Sequence, residues 1–372
     1  MNVVIRTDSS LQIGTGHVMR CVTLAKQLER EGANIIFVCR DFPGNSIPFL
    51  IDQGFDVFTL AISDEIQNHW QWIRENWIKD VQETKLALKS INQKVDLLII
   101  DHYGIDTVWE SELRLDVKHI MVIDDLANRP HDCDILLDQN YYPNLNVRYK
   151  GLVPDSCIQL LGPNYVLLRD EFLFIDQSKI KRDGNIENVL IFFGGTDPTE
   201  ETLKTIKAIQ ERAYSAIKFN VVVGLNNPRK DLISELCETM ENVSYFCQVK
   251  NMAELMMNAD LAIGAGGTTS WERCFLGLPA ITIVVADNQS ELSTAIAEKG
   301  AVCCLGESKE VSSEDINIKL NELCNDNSKM NAMIKSSREI VNPKYLKDRL
   351  LIKKILEIQN DINFKGRAKG YL

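Results

Sequence analysis

One local pattern recurs along the sequence: a short apolar run, a loop with glycines or acidic residues, and a segment with helical periodicity. Residues 3–6 form the first apolar run, and a loop with two glycines connects them to the helical stretch 18–30. The later apolar runs are continuous rather than alternating, and they lie at 34–39, 95–101, 119–124, 189–193, 218–223, 260–263 and 280–285. Continuous apolar runs separated by helices are typical of parallel strands that are buried on both faces. The sequence therefore predicts an α/β fold.

This pattern occurs in two series. The stretch between 141 and 182 is irregular and rich in Pro, Asn and Gly, and a new strand with its own glycine loop begins at 189. The length of 372 residues suits two domains. We predict two Rossmann-like domains facing a cleft, at 1–160 and 186–342, with a junction at 161–185 and a C-terminal helix and tail at 343–372. The amphipathic stretch 345–360 is expected to pack across the junction, and the basic tail 365–372 to be solvated and disordered.

The charge balance narrows the class of partner. With 52 acidic and 41 basic residues the net charge is −11, which argues against a general nucleic-acid or anionic-membrane binder. The first ten residues do not resemble a secretory signal, and the longest apolar runs are too short to span a bilayer. Ten cysteines without a C-x-x-C pair and five histidines without metal-ligand spacing predict reduced thiols and no metal. We expect a cytoplasmic protein without a cofactor or an obligate protein partner.

The loop after the first strand carries the first candidate site. Its candidate residues are Arg6, Asp8, Gly14, Gly16, His17 and Arg20. Glycines let the backbone approach a ligand, and a helix N-terminus offers free N–H groups to an anion. His17 falls at the first helical turn, a position that disfavours the imidazolium, so we expect a neutral ring that can accept a proton. A tight turn with a capping histidine is the alternative interpretation.

Two glycine loops in the second series are candidates for binding a diphosphate. Gly194 and Gly195 follow a strand, and Pro198 is expected in the first turn of the next helix. Farther along, the residues that end a strand and open a short helix include Gly266, Gly267, Thr268, Thr269 and Glu272. The loop amides and threonines suit a diphosphate, and the carboxylate suits the vicinal hydroxyls of a ribose. A simple turn and a glutamate capping its own helix remain the alternatives.

Other polar residues lie where strands end. Residues 100–104, 123–125 and 287–289 place acids, Tyr103, Asn288 and Gln289 at such positions, where open α/β sheets bind ligands. Turn-capping and buried-edge roles are equally open for them. The tryptophans at 70, 72 and 77 are expected to serve packing, and no site is assigned to them.

Several motifs together resemble a known family. In order they read R-T-D-S-S-x-Q-I-G-T-G-H-V-M-R, D-H-Y-G-I-D, I-D-D-L-A-N-R-P-H-D-C-D-I-L-L-D-Q-N, F-F-G-G-T-D-P and G-A-G-G-T-T-S-W-E, followed by G-L-P and D-N-Q. This order, over roughly residues 1–300, is similar to the UDP-sugar hydrolases of pseudaminic acid biosynthesis. That family has the two-domain GT-B fold and is related to the N-acetylglucosaminyltransferase that makes lipid II. The segment 342–345 departs from the family, which has a D-G-x-G stretch before the last helix.

The resemblance implies a reaction and a role for each candidate. The reaction is hydrolysis of UDP-2,4-diacetamido-2,4,6-trideoxy-β-L-altropyranose to UDP and free sugar, and it implies a place in flagellin glycosylation. His17 is implied as the general base, with Asp8, Arg20 and Tyr103 on the sugar side. Glu272 and the loop 266–269 are implied to hold UDP, and Asn288 and Gln289 to reach the sugar or phosphates. No metal is implied.

Chemistry at these residues is consistent with that reaction. A single base without a covalent nucleophile predicts inversion at the anomeric carbon, with UDP leaving as an anion. Two other functions compete: a UDP-sugar-dependent glycosyltransferase of the same fold, and a nucleotide-sugar-binding module without catalysis. A binding module has no need of a poised base, which counts against it.

Overall fold

A computed structural model of the chain describes residues 1–62, 68–91, 93–210 and 214–360. The described residues form two compact units. The first unit comprises Met1–Asn140, Asn144–Leu167 and the described residues from Lys344 onward, and the second comprises Tyr141–Pro143 and Leu168–Pro343. The predicted tail at 365–372 lies outside the described residues.

A parallel sheet of seven strands forms the centre of the first unit. Its strands are β1 (Asn2–Thr7), β2 (Asn34–Arg40), β3 (Asp56–Leu60), β4 (Val95–Asp101), β5 (Val117–Ile123), β6 (Ile135–Asp138) and β7 (Ile158–Leu161). The helices between them are α1 (Gly16–Glu29), α2 (Ile47–Asp52), α3 (His69–Glu75), α4 (Trp77–Ser90), α5 (Thr107–Leu113) and α6 (Leu145–Arg148). The spatial order is β3-β2-β1-β4-β5-β6-β7, so the chain reverses its direction across the sheet between β1 and β4. Ligands of open α/β sheets bind at the carboxyl ends of the strands beside such a switch point.

The second unit contains a parallel sheet of six strands. They are β8 (Asn188–Phe192), β9 (Lys218–Val223), β10 (Val243–Cys247), β11 (Leu261–Ala265), β12 (Ala280–Val284) and β13 (Val302–Glu307). Its helices are α7 (Asp170–Leu173), α8 (Glu201–Gln210), α9 (Lys230–Glu238), α10 (Met252–Asn258), α11 (Thr269–Phe275), α12 (Ser290–Glu298), α13 (Ser313–Cys324) and α14 (Asn327–Ile340). The order β10-β9-β8-β11-β12-β13 places the switch point between β8 and β11.

Burial explains why the strands lack alternation. On β1, Val3 and Ile5 belong to one apolar cluster and Val4 to another, and all three are at most 1% exposed. Successive side chains of a strand point to opposite faces, so both faces of this sheet are covered. This confirms the parallel, doubly covered α/β architecture that the continuous apolar runs predict.

Two local predictions were wrong. The stretch 345–360 is two helices, α15 (Pro343–Lys347) and α16 (Leu350–Asn360), because Arg349 between them adopts the left-handed conformation with φ 54°. Pro198 does not lie in the helix that follows it, since α8 begins at Glu201. The carboxylate of Asp197 caps this helix instead, accepting hydrogen bonds from the amides of Glu201 and Thr202 at 3.0 and 2.9 Å.

Within the described ranges, no helix is long and apolar enough to cross a membrane.

Candidate functional site

His17 lies beside the switch point of the first sheet. The loop after β1 leads directly into α1, and His17 is the second residue of that helix, with 6% of its surface exposed. Asp101 is the last residue of the neighbouring strand β4. The parallel register of β1 and β4 therefore brings residues that are 84 positions apart in sequence to the same edge of the sheet.

Asp101 binds both candidate side chains of α1. Its Oδ1 lies 2.6 Å from Nδ1 of His17, while Nε and Nη2 of Arg20 donate to the two carboxylate oxygens at 2.6 and 2.5 Å. Burial raises the pKa of Asp101, but the positive charge of Arg20 and the proximity of His17 lower it more, so the pKa lies well below its ordinary value. Asp101 is therefore an ionised carboxylate that can only accept hydrogen bonds.

This carboxylate determines which nitrogen of His17 carries the proton. Nδ1 of His17 also lies 3.2 Å from Nη2 of Arg20, but its contact with the Asp101 carboxylate is much shorter, at 2.6 Å. Because Asp101 can only accept, Nδ1 donates to it, and in the neutral ring Nε2 then holds the lone pair. Among the described residues, nothing forms a hydrogen bond with Nε2. The arrangement has the geometry of a general base that a carboxylate orients.

Aromatic rings surround the imidazole. The rings of Tyr103 and Trp70 stand edge-on to His17, with centroids 4.5 and 5.4 Å away. Trp70 also contacts His102 at 4.7 Å. The sequence assigned Tyr103 to the site but gave Trp70 only a packing role, since tryptophan in a helical stretch carries no signal of its own.

Arg20 connects the site to a third strand end. Its Nη1 donates to Asp125, two residues beyond β5, at 2.9 Å. Burial lowers the pKa of Arg20, and the carboxylates of Asp101 and Asp125 raise it well above its ordinary value. Arg20 therefore remains a cation held between two anions.

Arg6 and Asp8 occupy a different environment. Both are completely buried, and Nη1 of Arg6 donates to Asp8 at 2.6 Å. Arg6 also donates to Asp80 at 2.9 Å, and Asp8 accepts from the backbone amide of Arg40 at 2.7 Å. These contacts are all with protein groups, and a contact of Arg6 or Asp8 with substrate stays a prediction.

Four predicted site glycines adjoin open space. A Cβ on Gly14, Gly16, Gly194 or Gly195 would meet no heavy atom within 4 Å. Packing therefore does not require glycine at Gly16 or Gly195, where φ also lies outside the left-handed region. Close approach of a ligand to the backbone is a reason for glycine there that packing does not supply.

In the second glycine loop of the second unit, one glycine is closely packed against a neighbouring helix and the next has space beside it. A Cβ on Gly266 would lie 1.9 Å from Oγ of Ser293, so any other residue there would force the Ser293 side chain of α12 to move. At Gly267 the nearest atom would be 3.5 Å away. Thr268 is exposed and precedes α11, and its hydroxyl forms no capping hydrogen bond with that helix. Thr269 begins α11.

Glu272 is held by an arginine that the sequence did not indicate. Its Oε1 accepts from Nε of Arg169 at 2.8 Å, and Arg169 also pairs with Glu171 at 2.6 Å. Burial raises the pKa of Glu272 above its ordinary value, although Arg169 partly opposes this. No described residue forms a hydrogen bond with the second oxygen, Oε2, which can accept from a ligand.

Asn288 and Gln289 lie in a single 3₁₀ turn, Asp287–Gln289. Asn288 is exposed, and Oε1 of Gln289 accepts from the amide of Val285 at 3.2 Å. These predicted residues thus lie at the carboxyl ends of strands. The first unit holds His17, Arg20 and Tyr103, and the second holds the glycine loops, Glu272, Asn288 and Gln289.

Among the described residues, no group of three or more His, Cys, Asp or Glu side chains could hold a metal ion. The ten cysteines are free thiols.

Sequence reasoning missed the partners of the site residues. In the sequence, Asp101 ends one apolar run and Asp125 follows another. This pattern places both residues at strand ends but does not show which side chains they bind. Arg169 lies in an irregular stretch and carried no signal.

The sequence of the chain is similar to one known domain family and to several known proteins. The model of the glycosyltransferase family 28 C-terminal domain matches residues 189–361. The chain is 30% identical to the UDP-2,4-diacetamido-2,4,6-trideoxy-β-L-altropyranose hydrolase of Campylobacter jejuni, over 81% of this chain and 97% of that protein. It is 24% identical to the spore coat polysaccharide biosynthesis protein SpsG of Bacillus subtilis, over 92% and 95% of the two chains. An uncharacterised protein of Methanocaldococcus jannaschii is 27% identical over 78% of this chain, and the match spans only 57% of that relative's length.

Solved structures identify the fold. The crystal structure of Acinetobacter baumannii MurG superposes with a TM-score of 0.65 at 16% identity, covering 95% of this chain and 99% of MurG. The spinosyn rhamnosyltransferase SpnG, complexed with thymidine diphosphate, has a TM-score of 0.62 at 16% identity and covers 94% and 100%. The chain has the GT-B fold, as predicted.

Proposed function

Since the chain belongs to the family of the UDP-2,4-diacetamido-2,4,6-trideoxy-β-L-altropyranose hydrolase, we propose that it hydrolyses a UDP-linked diacetamido-trideoxy sugar. The chain is an enzyme of the GT-B glycosyltransferase superfamily. The proposed products are UDP and the free sugar, and the proposed role is in pseudaminic acid biosynthesis in the cytoplasm.

The His17–Asp101 pair carries this proposal. A hydrolase must remove a proton from water as it attacks, and Nε2 of His17 is the basic atom that the pair leaves without a hydrogen-bond partner among the described residues. The 2.6 Å contact between Nδ1 and Asp101 fixes the ring orientation and stabilises the imidazolium that forms.

The proposed reaction balances without a covalent intermediate. The water oxygen bonds to the anomeric carbon, the bond from that carbon to the phosphate oxygen breaks, and the proton from water passes to Nε2 of His17. UDP leaves with the electron pair as an anion, and loop amides stabilise its charge. Direct attack by water on an oxocarbenium-like centre inverts the anomeric configuration.

The second unit is proposed to bind the uridine diphosphate. Oε2 of Glu272 can accept from a ribose hydroxyl, while Arg169 holds the other oxygen at 2.8 Å. The open backbone at Gly194, Gly195 and Gly267 suits an approach by phosphate oxygens. Tyr103, Arg20, Asn288 and Gln289 remain the proposed contacts of the sugar and phosphates.

A glycosyltransferase activity is the second candidate function. The match of residues 189–361 to a glycosyltransferase C-terminal domain favours it, as does 27% identity over 45% of the chain to a peptidoglycan N-acetylglucosamine transferase of Pediococcus pentosaceus. In that case the same base would deprotonate an acceptor hydroxyl instead of water. The nucleotide-binding residues would be the same.

Release of UDP in the absence of any acceptor tests the proposal. A panel of UDP-sugars, including UDP-linked diacetamido-trideoxy hexoses, is incubated with the protein, and UDP is measured by a coupled assay. We expect turnover in water with the diacetamido substrate at the highest kcat/KM. UDP release only on addition of an acceptor would favour the transferase, and tight binding without turnover would indicate a binding module.

A further inference from the structure

Arg273 is a buried cation that has no acidic partner among the described residues. It lies in α11 next to Glu272 and is 2% exposed. Within the described part of the chain, no carboxylate forms an ion pair with Arg273. The neighbouring Glu272 pairs through Oε1 with Arg169 instead. Arginines buried to this extent are normally paired with an anion.

Its hydrogen bonds leave much of the guanidinium unused. Nη2 donates to the carbonyl oxygen of Ala265 and to Oγ of Ser270, both at 2.9 Å. Nε is buried, and no described residue accepts a hydrogen bond from it or from Nη1. Nη1 lies 3.1 Å from the position that a Cβ on Gly264 would occupy.

Burial of this charge is unfavourable in the absence of a counter-ion. Burial lowers the pKa of Arg273 to about 10, and the neighbouring Cys274 and Glu272 only partly offset the effect. The side chain therefore stays protonated at neutral pH, and no described group in contact with it neutralises its positive charge. An anion that binds nearby gains from this charge more than it would in water, because the surroundings are of low dielectric.

The contacts of Arg273 indicate where an anion would bind. The Ala265 carbonyl that it binds ends β11, which adjoins β8 at the switch point of the second sheet. A Cβ on Gly264 would lie 2.3 Å from the carbonyl oxygen of Phe192 at the end of β8. The guanidinium thus lies directly against the strand end that opens the loop to Thr268. Oγ of Ser293, next to Gly266, is a further buried polar atom for which the described residues supply no hydrogen-bond partner.

We propose that Arg273 supplies the fixed positive charge that selects a nucleoside diphosphate over an uncharged nucleoside at the β11–α11 loop. This assignment rests on the proposed nucleotide-sugar function and adds to it the residue that recognises the leaving group's charge. The loop amides would contact the phosphates, and the buried guanidinium beneath them would neutralise the diphosphate.

Binding of UDP and of uridine to the purified full-length chain, measured by calorimetry, tests the assignment. For R273Q we expect the affinity for UDP to fall about 10- to 100-fold, because the attraction between the buried positive charge and the diphosphate is lost, and the affinity for uridine to stay within about twofold. R273K keeps a charge and should retain most of the preference for UDP. Equal losses for UDP and uridine in R273Q would mean that Arg273 only maintains the fold of the loop.

Substitutions at Ser270 give a test that does not remove the buried cation. S270D places a carboxylate within reach of Nη2 and supplies the missing counter-ion, while S270N adds similar volume without charge. We expect S270D to be at least as stable to heat as S270N, yet to bind UDP about 10-fold or more weakly, with uridine unaffected. An S270D variant that binds UDP as the unmodified chain does would overturn the assignment.

The same data separate this inference from the proposed function. If the unmodified chain does not prefer UDP to uridine, the nucleotide-binding role of the loop is wrong and the assignment falls with it. If it prefers UDP but all variants keep that preference, only the role of Arg273 is wrong and the hydrolase proposal stands.

Discussion

At the scale of single residues, His17 depends on a carboxylate that is remote in sequence. Asp101 accepts from Nδ1 and is itself kept ionised by Arg20. The glycine-histidine motif predicted the base, but nothing in a single sequence connects positions 84 apart. Their contact results from the pairing of β1 with β4, a tertiary event.

Removing either member of this pair should abolish most turnover. We expect H17A and D101N each to lower kcat by roughly two to four orders of magnitude, the range typical of general base catalysis, with UDP affinity little changed. D132N is a matched control, since Asp132 pairs with Arg114 away from the strand end, and it should keep normal turnover. Near-normal kcat in H17A would show that His17 is not the base.

Two glycine-to-alanine substitutions distinguish a glycine that leaves room for a ligand from a glycine that leaves room for a neighbouring side chain. G16A adds a methyl group that meets no protein atom, so stability should be maintained while kcat/KM falls at least several-fold. In G266A the methyl group would collide with Oγ of Ser293, and the free energy of unfolding should fall by about 1–3 kcal/mol.

Thermal melts and turnover of both variants check this contrast. The double variant G266A/S293A removes the colliding hydroxyl and should recover part of the lost stability. If G16A is fully active, the open space at Gly16 is not used by substrate.

Asp138 provides a pH-dependent test of the buried polar network in the first unit. Burial, followed by the charge of Asp125, raises the pKa of Asp138 from 3.8 to about 7. Between these values the folded chain holds a proton that the unfolded chain releases, so the contribution of Asp138 to the free energy of unfolding declines as pH rises and is lost above about 7.

D138N mimics the protonated acid and removes this dependence. We compare the free energy of unfolding of D138N with that of the unmodified chain at pH 4.5 and at pH 8. The difference in favour of D138N should be roughly 2–4 kcal/mol larger at pH 8, because each pKa unit corresponds to about 1.4 kcal/mol. Denaturant titrations at the two pH values measure the difference. An unchanged difference would mean that Asp138 is ionised throughout.

At the scale of elements, the strand and loop pattern was predictable because it is local. Continuous apolar runs and terminal glycines determine where β1, β4, β8 and β11 end, and site residues follow at those ends. The break between α15 and α16 was not predictable, because the apolar periodicity continues through Arg349. Only the left-handed backbone at that residue, with φ 54°, separates the two helices.

The last helix, α16, contributes to the core of the first unit. Ile352 and Ile355 are at most 2% exposed and belong to the cluster that includes Val3 and Ile5 of β1. I355A should therefore lower the stability of the first unit by about 2–5 kcal/mol. Hydrogen exchange should accelerate in β1 and β4 and stay unchanged in β8 and β11, while K353A, at an exposed position, should have little effect. Faster exchange in the second unit alone would contradict this placement.

At the scale of the whole molecule, the charge of −11 and the proposed anionic ligand are compatible. Arg20 lies between two aspartates that offset its charge, whereas the buried Arg273 has no acidic partner in the described chain and leaves a local positive charge at its strand end. The sequence excluded long polyanions as the main partners, because those require an extended basic surface. A small diphosphate needs only local charge and backbone amides.

In the proposed mechanism, water that is activated by His17 attacks the anomeric carbon of a UDP-sugar. Hydrolysis in ¹⁸O-labelled water without an acceptor, followed by mass spectrometry of both products, tests it most directly. Attack at the anomeric carbon puts one labelled oxygen in the released sugar and none in UDP, and H17A should abolish the signal. Label in UDP would place the attack on phosphorus and contradict the mechanism.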